Sequence, residues 1–229
     1  MPNELLRGPL FAAKNHNEPR LVYLPKAPLV MPVIGGGELR YAGEELRQDD
    51  ETVWMQLVHM ARTSRSEWIS FTPKSLIEKL RWALKEPSYE RLLTTLRRLK
   101  ANSLEFYSAR INRGVSTSLI VDFEYSERGE RRGGRPWRVH VFSKENKLFF
   151  LFDSYYSRLD WETRLSLPVG AATWLHGFFA THRQPHPHKV ETLIIGAAER
   201  VNDFATPCFM NLLCKVGCWV RCVSPVVAG

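Results

Sequence analysis

Arginine and threonine recur on one side of a stretch near the middle of the chain. Arg91, Thr94, Thr95 and Arg98 stand at i, i+3, i+4 and i+7, the spacing of one helical face. Arginine forks onto guanine edges or phosphate, and threonine reaches base edges. Such a face suits duplex DNA, and it equally suits a solvated helix surface. Ser88 stands just before it, where a helix would be capped. Further on, Arg128-Gly129-Glu130-Arg131-Arg132-Gly133-Gly134-Arg135 concentrates guanidinium groups in a glycine-rich run. Arg131, Arg132 and Arg135 there can follow a phosphate backbone, or simply keep a loop hydrated. Arg183, His188 and Lys189 form a third basic group. The formal net charge of +8 fits a polyanionic partner, nucleic acid before membrane, because no basic helix with a broad apolar face stands out.

Other reactive side chains make weaker patterns. His186-Pro187-His188 has the look of a paired-histidine nuclease motif, and Tyr155-Tyr156 would offer a nucleophile to a rolling-circle nicking initiator. Prolines flank and separate those histidines, however, and no tyrosine follows on a later helix. Cys214, Cys218 and Cys222 are four apart without the C-x-x-C pair that structural zinc prefers. There is no phosphate-binding Gly-Lys loop, no G-x-S-x-G and no dinucleotide fingerprint. The expectation is a binding protein with no catalytic residue, no metal and no cofactor. All four cysteines, Cys208 included, lie in the last stretch, which fits a reducing compartment. No apolar run is long enough to span a bilayer, and the start lacks a basic-then-apolar leader. A cytoplasmic location follows as the default.

The elements that would position the basic residues come next. Asp49, Asp50 and Glu51 open a helix on which Val53, Trp54, Leu57, Met60 and Ala61 face a core while Gln56, His59 and Arg62 point away. Trp68 to Phe71 reads as a strand. Thr72 and Pro73 cap a second helix with Leu76, Ile77, Leu80 and Leu84 buried. Lys85 to Ser88 breaks it, and a third helix runs to about Ala101 with Tyr89, Leu92, Leu93, Leu96 and Leu99 inward. This is a helix-turn-helix order. Ser103 to Tyr107 is a strand. Ser116 to Tyr125 and Trp137 to Phe142 alternate like the two strands of a hairpin around the arginine-rich run, as in a winged helix. An aromatic-rich stretch from 144 to 163 reads as a seam between units. Val169, Ala172, Leu175 and Phe179 begin a second helical unit after Pro168, and His188 to Ala198 reads as a further helix. Residues 1 to about 40, rich in proline and glycine, read as an extended arm with short strands at most.

These residues also match a family. Tyr41-Ala42-Gly43-Glu44-Glu45-Leu46-Arg47-Gln48-Asp49-Asp50-Glu51-Thr52-Val53-Trp54 resembles the opening signature of TrfA-like plasmid replication initiators, and Glu67-Trp68-Ile69-Ser70-Phe71-Thr72-Pro73 continues it. Trp137-Arg138-Val139, the run from Tyr156 to Glu162 and the run from His182 to Leu193 are similar to it as well. The resemblance implies an α+β chain of tandem winged-helix domains: an arm over about 1–40, a first domain over about 41–152 and a second over about 153–229. It implies binding to repeated origin sites (iterons), origin opening, a monomer–dimer equilibrium, and recruitment of host DnaA, the replicative helicase and the sliding clamp. Leu10-Phe11 resembles the end of a clamp-binding peptide, though Arg7-Gly8-Pro9 before it does not. After about Ile195 the resemblance ends: Pro207 interrupts the expected recognition helix, and cysteines and apolar residues take over. The second domain is therefore expected to be incomplete or atypical, leaving DNA contact mainly to residues 87–138, with poor sequence discrimination. A winged-helix transcriptional regulator would use the same residues.

Overall fold

The computed structural model of the chain describes residues 1, 3–14, 17–32, 37–64, 68–108, 113–126, 136–141, 156–182, 193 and 197. The N-terminal segment, expected as an extended arm, is packed. It carries helix α1 (Asn3–Arg7) and strands β1 (Phe11–Ala12), β2 (Val22–Tyr23) and β3 (Leu29–Pro32). Leu5, Leu6, Leu10, Phe11 and Ala12 are buried. Local periodicity could not reveal this, because the partners lie far along the chain. β2 and β3 pair antiparallel with β4 (Gly37–Glu44), and β1 runs parallel to β5 (Leu46–Arg47), with Phe11 opposite Leu46. Their burial also removes Leu10 and Phe11 as an accessible clamp-binding peptide in this fold.

Helix α2 (Gln48–Ser64) starts with Asp49, Asp50 and Glu51 in its first turn, where the macrodipole favours anions. Val53, Trp54, Leu57 and Ala61 are buried as expected, but so is Gln56, because α2 is enclosed on several sides by β1, β5, β6 (Trp68–Phe71) and the helix over Glu86–Lys100. α3 (Pro73–Lys79) is opened by Pro73, and Thr72 Oγ1 accepts from the Ser75 N–H at 3.2 Å. It stops before Leu84, which is exposed rather than part of the buried stripe; Arg81 takes φ 56° and turns the chain away. α4 (Glu86–Lys100) follows. Its N-cap is Lys85, not Ser88, because Pro87 occupies the first turn.

β7 (Ser103–Ser108) lies between β4 and β8 (Arg113–Thr117), antiparallel to both, completing a five-stranded sheet. The expected single strand from Ser116 to Tyr125 is two strands in two sheets. Ser116 and Thr117 end β8, while β9 (Asp122–Glu124) pairs with β10 (Trp137–His140). Between them Leu119 and Ile120 are both fully buried, which breaks the alternation. Trp54 Nε1 donates to the Leu119 carbonyl at 2.9 Å and the Ile120 N–H donates to the Leu99 carbonyl at 3.2 Å, fixing the crossover against α2 and α4. β10 also pairs with β6, so the smaller sheet runs β6-β10-β9. Trp54, Leu57, Leu76, Ile77, Leu92, Leu96 and Val139 sit in the core that joins these helices to both sheets.

A second core gathers around α6 (Ala171–Ala180), which follows α5 (Trp161–Ser166). Trp174, Leu175, Phe178 and Phe179 pack there with Ala13, Leu193 and Ala197. Ala172, Leu175 and Phe179 are buried as expected, but Val169 is exposed, because it precedes the helix, whose N-cap is Gly170. α1 lies on α6. A Cβ on Gly177 would stand 3.1 Å from Leu6 Cδ2, so glycine permits the approach. Arg7 clamps the end of α6, donating to Thr181 Oγ1 at 2.6 Å and to the Thr181 carbonyl at 2.9 Å. The two cores are tied by Arg164 of α5, whose side chain is 0% exposed. It reaches Glu51 Oε2 at 3.0 Å, Thr52 Oγ1 at 3.1 Å and both Gln48 oxygens at 3.3 Å, all on α2.

His176 of α6 adds a pH dependence. Its Nδ1 is buried without a hydrogen-bond partner among the described residues. Burial and then the Arg164 charge lower its pKa from 6.5, against an opposing pull from Asp160. A histidine depressed in the folded chain contributes stability above its unfolded pKa, lost as pH falls through that value. His176→Asn is therefore expected to shrink the fall in thermal midpoint between about pH 7.5 and about pH 5.5. Equal falls in the two proteins would reject the assignment.

The expected aromatic seam falls largely outside the described residues, as do the helix from His188 to Ala198, Tyr155 and the cysteine-bearing tail; Tyr156 is exposed. Among the described residues no helix is long and apolar enough to cross a membrane.

Candidate nucleic-acid interface

α4 is anchored by Leu92, Leu96 and Leu99, all fully buried, and its last turn carries Arg97, Arg98 and Lys100, where cations oppose the negative end of the macrodipole. Arg91 and Thr94 are exposed, as the helical projection predicts, and Ser88 is half-buried inside the first turns. Thr95 and Arg98 depart from expectation. Thr95 is buried, and the Arg98 side chain is 8% exposed, held by Asp50 Oδ1 at 2.6 Å and Glu44 Oε1 at 3.0 Å. The physical reason is the neighbour: α4 lays this flank of its apolar stripe against the start of α2 and the end of β4. A projection of α4 alone cannot say which flank is covered.

The open face is completed by two residues that sequence reasoning passed over. Arg97 Nη2 donates to Tyr125 Oη at 3.1 Å, its guanidinium 5.5 Å from that ring. Lys100 pairs with Asp122. Their signal was the i, i+3 continuation of the Arg91–Thr94 line into a basic last turn. Beside α4, on the small sheet, Arg138 pairs with Glu124 at 3.2 Å and stands 4.9 Å over the Trp68 ring, which stacks on His140. Arg91, Arg97, Lys100 and Arg138 are thus exposed cations carried by rigid elements. Arg131, Arg132, Arg135, Arg183, His188 and Lys189 lie outside the described residues; the first three belong to the connection between β9 and β10.

Beneath Arg91 runs a ladder of alternating charge. Arg20 Nη1 meets Asp50 Oδ2 at 2.7 Å, Arg20 Nη2 meets Asp49 Oδ1 at 3.5 Å, and Arg91 Nη2 meets Asp49 Oδ2 at 3.1 Å. Burial raises the Asp49 carboxyl, but Arg91 and Arg20 together outweigh it and hold its pKa below the ordinary value. Arg91 also lies 4.0 Å over the Trp82 ring. This fixes its guanidinium between a carboxylate and an indole, with one edge still facing solvent.

Residues 1–203 match the model of a family described as TrfA protein. The chain is 32% identical over 194 residues to the plasmid replication initiator protein TrfA of Escherichia coli, an overlap of 84% of this chain and 49% of that one. It therefore spans about half the length of the curated relative it matches. Two crystal structures of domains 2 and 3 of RctB are similar in fold. One superposes with a TM-score of 0.63 at 10% identity over 94% of this chain and 84% of that one; the other has a TM-score of 0.61 at 9% identity over 93% and 80%. The family match includes the N-terminal segment and ends before Phe204, so the last cysteine-rich stretch lies beyond it.

Proposed function

Because the chain belongs to the TrfA protein family, we propose that it is a plasmid replication initiator that binds repeated origin sites in duplex DNA through a winged-helix unit. The observation that carries the reading is the path α2–β6–α3–α4–β9–β10 with the strands ordered β6-β10-β9. That is the order of a helix-turn-helix closed by a three-stranded sheet, with β7 and β8 inserted. In such a unit the second helix of the pair enters the major groove. Here that helix is α4, whose exposed side carries Arg91, Thr94 and Arg97. The connection between β9 and β10, with its four arginines, is the segment that would follow the phosphates as the wing of such a unit. A second unit begins near α5 and reads DNA less sharply, because its recognition helix would fall where the family match ends.

The protein works in the cytoplasm, makes and breaks no bonds, and recruits DnaA, helicase and clamp through surfaces other than Leu10-Phe11. A minimal plasmid carrying this gene and its flanking DNA is expected to replicate in a host with no other initiator for it, and to be lost when the gene is frameshifted. Maintenance without an intact gene would reject the reading.

A further inference from the structure

We propose that Asp49 is a specificity-determining residue: by holding Arg91 it suppresses capture of unrelated duplex. The proposal rests on the DNA-binding reading above and concerns how that face discriminates.

Glu44, Asp49 and Asp50 face Arg20, Arg91 and Arg98 in one continuous ladder, so the cluster is charge-balanced. The three arginines differ in freedom. Arg98 is clamped by Glu44 and Asp50, and Arg20 is 18% exposed and touches all three acids. Arg91, 44% exposed, ends the ladder on the open side of α4 with Asp49 and Trp82 as its contacts. When Arg91 swings to DNA, Asp49 keeps Arg20 at 3.5 Å, and no buried carboxylate is left stranded. The exchange is therefore accessible, and its balance depends on what the DNA offers. A phosphate replaces one anion with another and gains little. Guanine presents O6 and N7 in the plane of the guanidinium, a two-pronged contact that other base pairs do not offer, so only a site with guanine there adds base-specific contacts in exchange for the single Asp49 oxygen. Neutralised by Asp49, Arg91 also displaces no net counterion from an unrelated duplex, so it is silent in the salt dependence of non-specific binding.

The test is a double-mutant cycle on the full chain with D49N, R91A and the pair. Each is titrated by anisotropy against an unrelated duplex and against a duplex that the unsubstituted chain selects from a randomised pool. D49N is expected to bind the unrelated duplex about fivefold tighter at about 0.15 M salt, with a slope of log K against log salt steeper by about 0.9. Preference for the selected duplex should fall by a similar factor. In the R91A background D49N should change neither quantity. Asp49→Ser, which keeps a helix-opening side chain, must give the same signs, so a folding defect peculiar to asparagine cannot decide the matter. An unchanged slope in D49N, or an equal change in the R91A background, overturns the role of Asp49 while leaving DNA binding intact. A chain that shows no salt-dependent duplex binding overturns the underlying reading and this one with it.

Discussion

Replacing Arg164 with alanine is expected to lower the free energy of unfolding by about 3–5 kcal/mol. Against a total of roughly 5–15 kcal/mol for a natural domain, that is enough to unfold much of the population. The side chain is wholly buried, and its Nη2 serves Glu51 and both oxygens of Gln48. Removing it strands the Glu51 carboxylate, already pushed up in pKa by burial and held back mainly by Arg164. With the arginine gone, Glu51 must take up a proton to stay buried, so the loss should deepen as pH rises. Pairing Arg164→Met with Glu51→Gln removes both charges and should restore much of the stability, since a buried ion pair gains little over an apolar replacement. Urea titrations of the three proteins measure this. A loss below about 1 kcal/mol in the alanine variant would mean that Arg164 is not the tie between the two cores.

Alanine at Arg131, Arg132 and Arg135 is expected to weaken binding to every duplex alike, by about a hundredfold at physiological salt. Three lost phosphate contacts flatten the slope of log K against log salt by about 2.7, which at about 0.15 M salt amounts to two orders of magnitude. Because the contacts carry no base information, the ratio between selected and unrelated duplex should hold. An unchanged slope would remove these arginines from the interface.

What was legible in the sequence follows from how local each signal is. Thr72-Pro73 and the acidic first turn of α2 act within a turn of themselves, so α2 and α3 start where expected. The leucine stripe of α4 is equally local and was read correctly. Arg98 failed because its partners are Asp50 and Glu44, some fifty residues earlier in the chain, and helical periodicity carries no information about such neighbours; Thr95, on the same flank, is buried as well. The strand from Ser116 to Tyr125 failed for a related reason. Its two halves belong to different sheets, and Leu119 and Ile120 turn inward together to pass between them. Arg164 gave no signal at all, since a buried arginine and an exposed one look alike in sequence.

The docking of α1 on α6 also sets an order of assembly during synthesis. Leu5, Leu6, Leu10 and Phe11 are made well before the helix that Leu6 and Arg7 grip, which ends at Ala180. At roughly 5–20 residues per second, about ten to thirty seconds separate the two ends of this contact on the ribosome. The sheets and the α2–α4 core can close in that interval, while α1 waits with its leucines uncovered. Helix α1 thus settles only once α6 has been made, and a nascent chain stalled before α6 would present it to chaperones or to its neighbours.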